Sequence, residues 1–472
     1  MKKQLPKNWV EVQLIDILEV LENGSRPKGG VQGILEGVPS IGGEHLDSNG
    51  GFKFGNLKYV PTSFAEKMKR GLIKENDILI VKDGATTGKT SYINNSFPFD
   101  LAFVNEHVFI CRTFSNLNSK SIFYFLFSRT GFDSIMENFT GSAQGGINQK
   151  FASNTLIPLP PIKEQNRIVE KLDHLFIQLE IIKTSMANIP LLLKDFRQQV
   201  LTQAVTGKMT EEWRKGINLG DYKIVSIENL VNSLKTDIRT GPFGSSLKKE
   251  EHKNEGIPVW GIESIGLNGK FTGFNKIFVS KEKAEKLKSF EVKGGNIIIS
   301  RSGTVGELCI LPDDVEYGLI STNLMKIILN NKNILSKYFC WLFKGSPVVI
   351  NKLNDLCKGS TRLFLTQTIL KNLDFPLPPI EEQQEIVSRV ESLFAKADAI
   401  EQQYNSLKQK IDTLPQALLH KAFKGELSEQ LDSDGDAREL LKQIQALKNT
   451  KVTKPKAYKV PKEKLRMVAE TK

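Results

Sequence analysis

At 472 residues the chain is long enough for two or three domains, each with its own core. Its 40% hydrophobic and 25% charged residues are ordinary for a folded protein and argue against a disordered chain. Lys and Arg outnumber Asp and Glu by 65 to 53, and the resulting +12, spread along the chain, favours a polyanionic partner. The N-terminus is basic with no apolar stretch behind it, so it does not read as a secretion signal. No run approaches the roughly 18 apolar residues that a bilayer span needs. Cys111, Cys309, Cys340 and Cys357 are scattered, without a CxxC pair or a neighbouring His, and read as reduced buried thiols of a cytoplasmic protein.

In chain order, the first special segment is the basic loop SRPKGG at 25–30. DILIV at 77–81 follows, a continuous apolar run predicted to be a buried strand that ends in a tight loop. The next residues, GATTGKT at 84–90, resemble a phosphate-binding loop but carry Asp83 where that loop needs glycine, and nucleotide binding is set aside. SIFYFLFSRTGF reads as helical, with its aromatics in the core. LIPLPPIKEQNRIVEKLDHLF at 156–176 then opens a long helix behind a rigid double-proline connector.

The second half repeats this order. DFPLPPIEEQQEIVSRVESLF at 374–394 matches the first PLPPI segment. GIPVWGIESI matches GVPSIGGEHL upstream, NIIIS matches DILIV, and LSKYFCWLFKGSP is again predicted helical. Self-similarity sustained over most of each half means duplication. Each long helix carries one narrow heptad stripe: Ile168, Leu172, Leu175, Leu179 and Ile182 in the first, Ile386, Val390, Leu393, Ile400 and Leu407 in the second. Such stripes suit pairing of the two helices, and an antiparallel pair would relate the repeats by an approximate two-fold axis, a symmetry matched to duplex DNA. Pro190 and Pro415 predict a kink or restart near each. The expected fold is therefore α+β: two mixed target-reading domains at 1–160 and 211–378, an antiparallel coiled coil from helices at 161–210 and 379–427, and a tail at 428–472 with a short helix and a basic, unstructured end.

No catalytic constellation or metal site emerges. The triplet Glu251 to Lys253, with Asp237 upstream, loosely resembles a nuclease site but has no counterpart in the first repeat, and the five histidines are isolated. The residues expected to touch DNA lie mainly in loops that differ between repeats: Arg26 and Lys28 in the first, Arg239, Lys248 and Lys249 in the second. Lys82 and Arg301 follow equivalent strands and suggest backbone contact. Gln144, Asn148 and Arg362, in the glycine-serine segments before each PLPPI, complete the set.

Two domains each ending in PLPPI-x-EQ-x-x-IV, each followed by a heptad helix ending in A-x-x-G, strongly resemble the specificity subunit of type I restriction-modification systems. The resemblance runs from Leu5 to the ARELLKQIQALK segment. It implies a non-catalytic, cytoplasmic DNA-binding subunit in which each domain reads one half of a split target while the helices act as spacer and docking platform. It also implies two modification subunits using S-adenosylmethionine, restriction subunits using ATP and Mg, and no cofactor in this chain. An orphan DNA-binding adaptor without catalytic partners is the alternative.

Overall fold

The computed structural model describes residues 5–141, 145–242, 246–266, 269–357 and 364–450. The chain divides into two compact units, Met1–Ser185 with Leu407–Lys472, and Met186–Ser406. The division falls inside the long helices rather than at the domain–helix joints expected from sequence. Each half-helix shares a core with the globular part beside it, so it belongs to that body and not to a separate rod.

In the first unit the main sheet is antiparallel, in the order Leu18–Asn23, Val108–Thr113, Ile78–Val81, Thr90–Tyr92. A smaller sheet joins Lys58–Val60, Val38–Ile41 and Phe103–Val104, the last two parallel. The apolar run predicted as a strand shows why it is apolar throughout: Ile78 and Ile80 face the main core, with Phe109 and Phe151, while Leu79 and Val81 face a second core with Ile41 and Val104. Alternate side chains of a strand point to opposite faces, so burial on both sides leaves no polar position.

The second unit repeats the plan. Its main sheet runs Ile238–Thr240, Leu324–Ile327, Ile297–Ser300, Leu308–Ile310, and Ile297 and Ile299 face one core while Ile298 faces another. Its smaller sheet has four strands, with Glu291–Val292 added. The predicted helical segments form Ser119–Phe127 and Arg129–Met136 in the first unit, Ser336–Gly345 and Pro347–Cys357 in the second.

The first proline of each PLPP segment, Pro158 or Pro376, lies in a two-stranded ladder, Val10–Gln13 with Leu156–Leu159 and Lys223–Ser226 with Asp374–Leu377, and the double proline follows it. The repeated glutamine secures the turn into each helix. Gln165 donates to the Pro160 carbonyl and accepts from the Asn118 amide; Gln383 does the same with Pro378 and Leu335.

Within each unit the two helical segments run antiparallel. In the first, Ile168 and Leu172 share a core with Leu419 and Ala422, Arg167 binds Asp434, and further along Lys183 and Asp412 line one cleft. In the second, Arg197 binds Asp398 and Glu401, and further along Thr210 meets Glu382. Ile168, Leu172, Leu179, Ile386 and Val390 of the expected seam are buried, and Leu175 and Leu393 half-buried. Ile182, Ile400 and Leu407 are instead 42%, 50% and 47% exposed, so the heptad stripe does not bury its whole length. In the second unit Ala397 and the paired Arg197 take buried places that sequence would give to large apolar residues.

Pro190 restarts the helix as expected: Ile162–Met186 ends, and Ile189–Val205 begins with the proline in its first turn, where a missing N–H costs nothing. At Pro415 the helix does not restart: Ile380–Phe423 passes through it as one helix. The neighbouring Gln416 is tied to the first unit's globular part, accepting from the Arg129 amide at 2.7 Å and donating to the Phe127 carbonyl at 3.4 Å. These tertiary bonds help offset the lost helical one.

The tail helix Ala437–Thr450 buries Leu440 and Ile444 in the first unit's core, and its Ala437 amide donates to Asn8. The basic end beyond it lies outside the described residues. By length and composition one helical stretch, Ile162–Val205, would suffice to cross a membrane, with a mean hydropathy of 1.2 in its most apolar window. The sequence expectation was too strict because apolar side chains outside the seam, such as Ile177 and Leu192, add to the stripe.

Candidate nucleic-acid interface

The loops at one end of each main sheet form the same frame in both units. In the first, the Lys82 amide donates to the His107 carbonyl at 2.8 Å and the Ile147 amide to the Lys82 carbonyl at 2.8 Å. In the second, the Arg301 amide donates to Asn323 at 2.9 Å and the Leu365 amide to Arg301 at 2.9 Å. Lys82 and Arg301 thus occupy equivalent places, just beyond the equivalent central strands Ile78–Val81 and Ile297–Ser300. Gly24 and Gly241 close the frame beside the neighbouring strand, where a Cβ would fall 1.5 Å from the Val104 carbonyl oxygen and 1.9 Å from that of Ser321. Any larger residue would push the loops apart.

The side chains on this frame differ. In the first unit the cations sit among carboxylates: Arg26 Nε is 2.5 Å from Glu106, and Lys82 Nζ is 3.6 Å from Asp83. His107 lies between them, with Nδ1 2.5 Å from Asp83 and Nε2 3.3 Å from Glu106. In the second unit Arg301 stacks over Phe364 at 5.5 Å, with Nε buried and, among the described residues, without a hydrogen-bond partner. Burial holds its guanidinium below the usual arginine range. Ser302 Oγ meets Asn323 Oδ1 at 2.9 Å.

Of the other residues expected from sequence, Lys28 and Asn148 are exposed, and Asn148 Oδ1 caps the amide of Lys150. Lys248 and Lys249 are exposed at the 3-10 turn Lys249–Glu251, whose Glu251 pairs with Lys283. That ion pair also accounts for the nuclease-like triplet. Arg239 is a correction: it lies in the strand Ile238–Thr240 opposite Lys326, its guanidinium 5.3 Å from the Phe290 ring, rather than in a loop. Extended pairing with Leu324–Ile327 captures it into the sheet. Gln144 and Arg362 lie outside the described residues. His107 and Asn323, which join this frame, were not singled out because the repeats drift out of register between the central strands and these positions, whereas Asp83 and Ser302 directly follow Lys82 and Arg301 in the same register.

A second constellation joins the helices to the domains. Glu164 is buried and accepts from Trp9 Nε1 at 2.8 Å, Ser428 at 3.0 Å and Gln430 at 3.1 Å. Burial pushes its carboxyl above the usual range, against the pull of the Trp9 and Ser428 bonds. Glu382, equally buried, accepts from Thr210 at 2.6 Å, Arg214 at 2.9 Å and Tyr222 at 3.1 Å. Each repeated glutamate therefore gathers the residue just before the first strand of its own domain and the segment after the opposing helix.

Cys111, Cys309 and Cys340 are buried and free, and burial pushes the Cys309 thiol up to about 12. The Cys357 side chain lies outside the described residues.

Two copies of one loop frame, with a cation in the same place and different neighbours, define a duplicated module. The family model for the type I restriction modification DNA specificity domain matches residues 6–191 and 220–409. The chain belongs to that family, and its two globular units are DNA specificity domains. It is 33% identical over 317 residues to the type I restriction enzyme EcoBI specificity subunit of Escherichia coli, covering 64% of this chain and 66% of that one. Over 464 residues it is 28% identical to the EcoKI specificity subunit of Escherichia coli strain K12, covering 94% and 96%. Its fold matches the crystal structure of the HsdS subunit from Thermoanaerobacter tengcongensis with a TM-score of 0.61 at 18% identity, covering 90% of this chain and 99% of that one.

Proposed function

We propose that this chain reads DNA for a type I restriction-modification complex in the prokaryotic cytoplasm, one half of a split target by each unit, and catalyses no step itself. The observation that carries the reading is the duplicated loop frame, which keeps a cation beyond the central strand of each unit while changing the side chains around it. Two units of common frame and unlike surface suit two unlike half-sites on one duplex.

Two modification subunits would dock on the helices, where Ile177 and Ile181 in one unit and Leu191 and Leu192 in the other expose apolar surface. They would bring S-adenosylmethionine, and restriction subunits would bring ATP and Mg. The helices would act as the spacer that sets the unread gap between the two half-sites, on the order of six base pairs. Copurification with the modification subunit, followed by methylation mapping, tests this: the expected result is adenine methylation in a split motif. A chain that purifies without a methyltransferase and marks no motif would instead be an orphan adaptor.

A further inference from the structure

The frame shared by the two units separates what is common to them from what can discriminate. On it, Lys82 and Arg301 are both cations, whereas the residues bonded to their amides are His107 and Asn323, and the residues following them are Asp83 and Ser302. A cation in the same place in both units binds what every duplex offers, the phosphate backbone. A changed polar side chain beside it is placed to read what differs between half-sites.

Both changed residues are oriented before DNA arrives. Asp83 holds the His107 ring through Nδ1 at 2.5 Å, and the side chain remains 42% exposed. Ser302 holds Asn323 through Oδ1 at 2.9 Å, and Asn323 is exposed. An amide oriented by one oxygen lone pair keeps its NH2 group and a second lone pair, the donor and acceptor that match the N7 and N6 of adenine in the major groove. The His107 ring, with Asp83 at Nδ1 and Glu106 3.3 Å from Nε2, presents a different pattern on the same frame. Holding a side chain in one rotamer also lowers the ordering cost of binding.

We infer that His107 and Asn323 are the equivalent base-discriminating residues of the two units, each acting on its own half-site, with Lys82 and Arg301 beside them binding backbone. This rests on the split-target reading and names the residues through which it works.

The test selects bound duplexes from a fully randomised library with the full chain, in the complex it purifies with, and compares variants. His107→Asn is expected to change one base position in one half-site, with a loss on the order of tenfold for the wild-type base. Asn323→His is expected to change one position in the other half-site, and that position is an adenine in the wild-type motif. Lys82→Gln and Arg301→Gln should weaken recovery of all sequences and leave the motif unchanged. His107→Gln and Asn323→Ser are read in the same way should either first variant fail to fold, as judged by its melting temperature. The inference is overturned if folded variants at both positions keep the wild-type motif, if either one alters both halves, or if the motif follows the lysine and arginine instead. A wild-type chain that enriches no split motif would sink the functional reading and the inference with it, whereas a wild-type split motif untouched by the variants sinks the inference alone.

Discussion

At the residue scale, the buried carboxylates Asp434 and Glu164 are handled in two ways, one by an ion pair and one by neutral donors. Asp434, 2% exposed at its side chain, binds both terminal nitrogens of Arg167 and caps the Leu431 amide, and the arginine bonds hold its carboxyl below the usual aspartate range. Removing the charge leaves Arg167 with a weaker partner, so Asp434→Asn should destabilise the first unit by about 1.5–3 kcal/mol, read by denaturant unfolding. The pH dependence has a definite sign. A depressed aspartate contributes stability that is present above its unfolded pKa and lost as pH falls through its folded one. Glu164 is raised by burial, so its contribution is full below its unfolded pKa and declines as pH rises through its folded one. The wild-type chain should thus lose more stability than Asp434→Asn between about pH 5 and pH 2, and parallel unfolding curves over that window would refute the assignment. Neither role was legible in sequence. Asp434 lies in the tail and Glu164 at a helix start, and only the tertiary fold buries both.

At the element scale, the long helices obey sequence over most of their length and depart from it at particular positions. The apolar spacing located them, and the double prolines located their starts. It could not tell Pro190, which falls in a first turn, from Pro415, which lies within a helix that tertiary bonds hold together. The difference matters for the proposed spacer. A four-residue insertion at 187–188 alone would lengthen one helix by about 6 Å against an uninterrupted partner and disturb their pairing. Matched insertions, at 187–188 and after Ser406, should keep both pairings and widen the unread gap with both half-sites unchanged, as read by methylation mapping. A changed half-site with an unchanged gap would refute the spacer role.

At the scale of the whole molecule, the +12 charge is a property of the chain, but the two units use charge differently at their reading loops. Lys82 and Arg26 stand beside Asp83 and Glu106, which oppose their attraction for phosphate. Arg301 is shifted by burial alone, with no carboxylate contributing. Arg301→Gln should therefore weaken DNA binding more than Lys82→Gln and lower the salt slope by about one, measured by titration at several salt concentrations. Equal losses would mean that the carboxylates turn away when DNA binds.

The sequence by itself determined the duplication, the buried central strands, the two long helices and the family, because each is written in local pattern: a continuous apolar run, a period of seven, and a repeated PLPPI segment. Tertiary structure decided where one body ends and the next begins, since that depends on which core each half-helix joins. It also decided which polar residues share a loop frame. His107 and Asn323 are equivalent through backbone hydrogen bonds made across loops of unequal length, and unequal loops erase that equivalence from a linear alignment. Arg239 looked like a loop residue for the same reason: strand pairing is a contact between distant segments, and only the folded chain brings Lys326 opposite it.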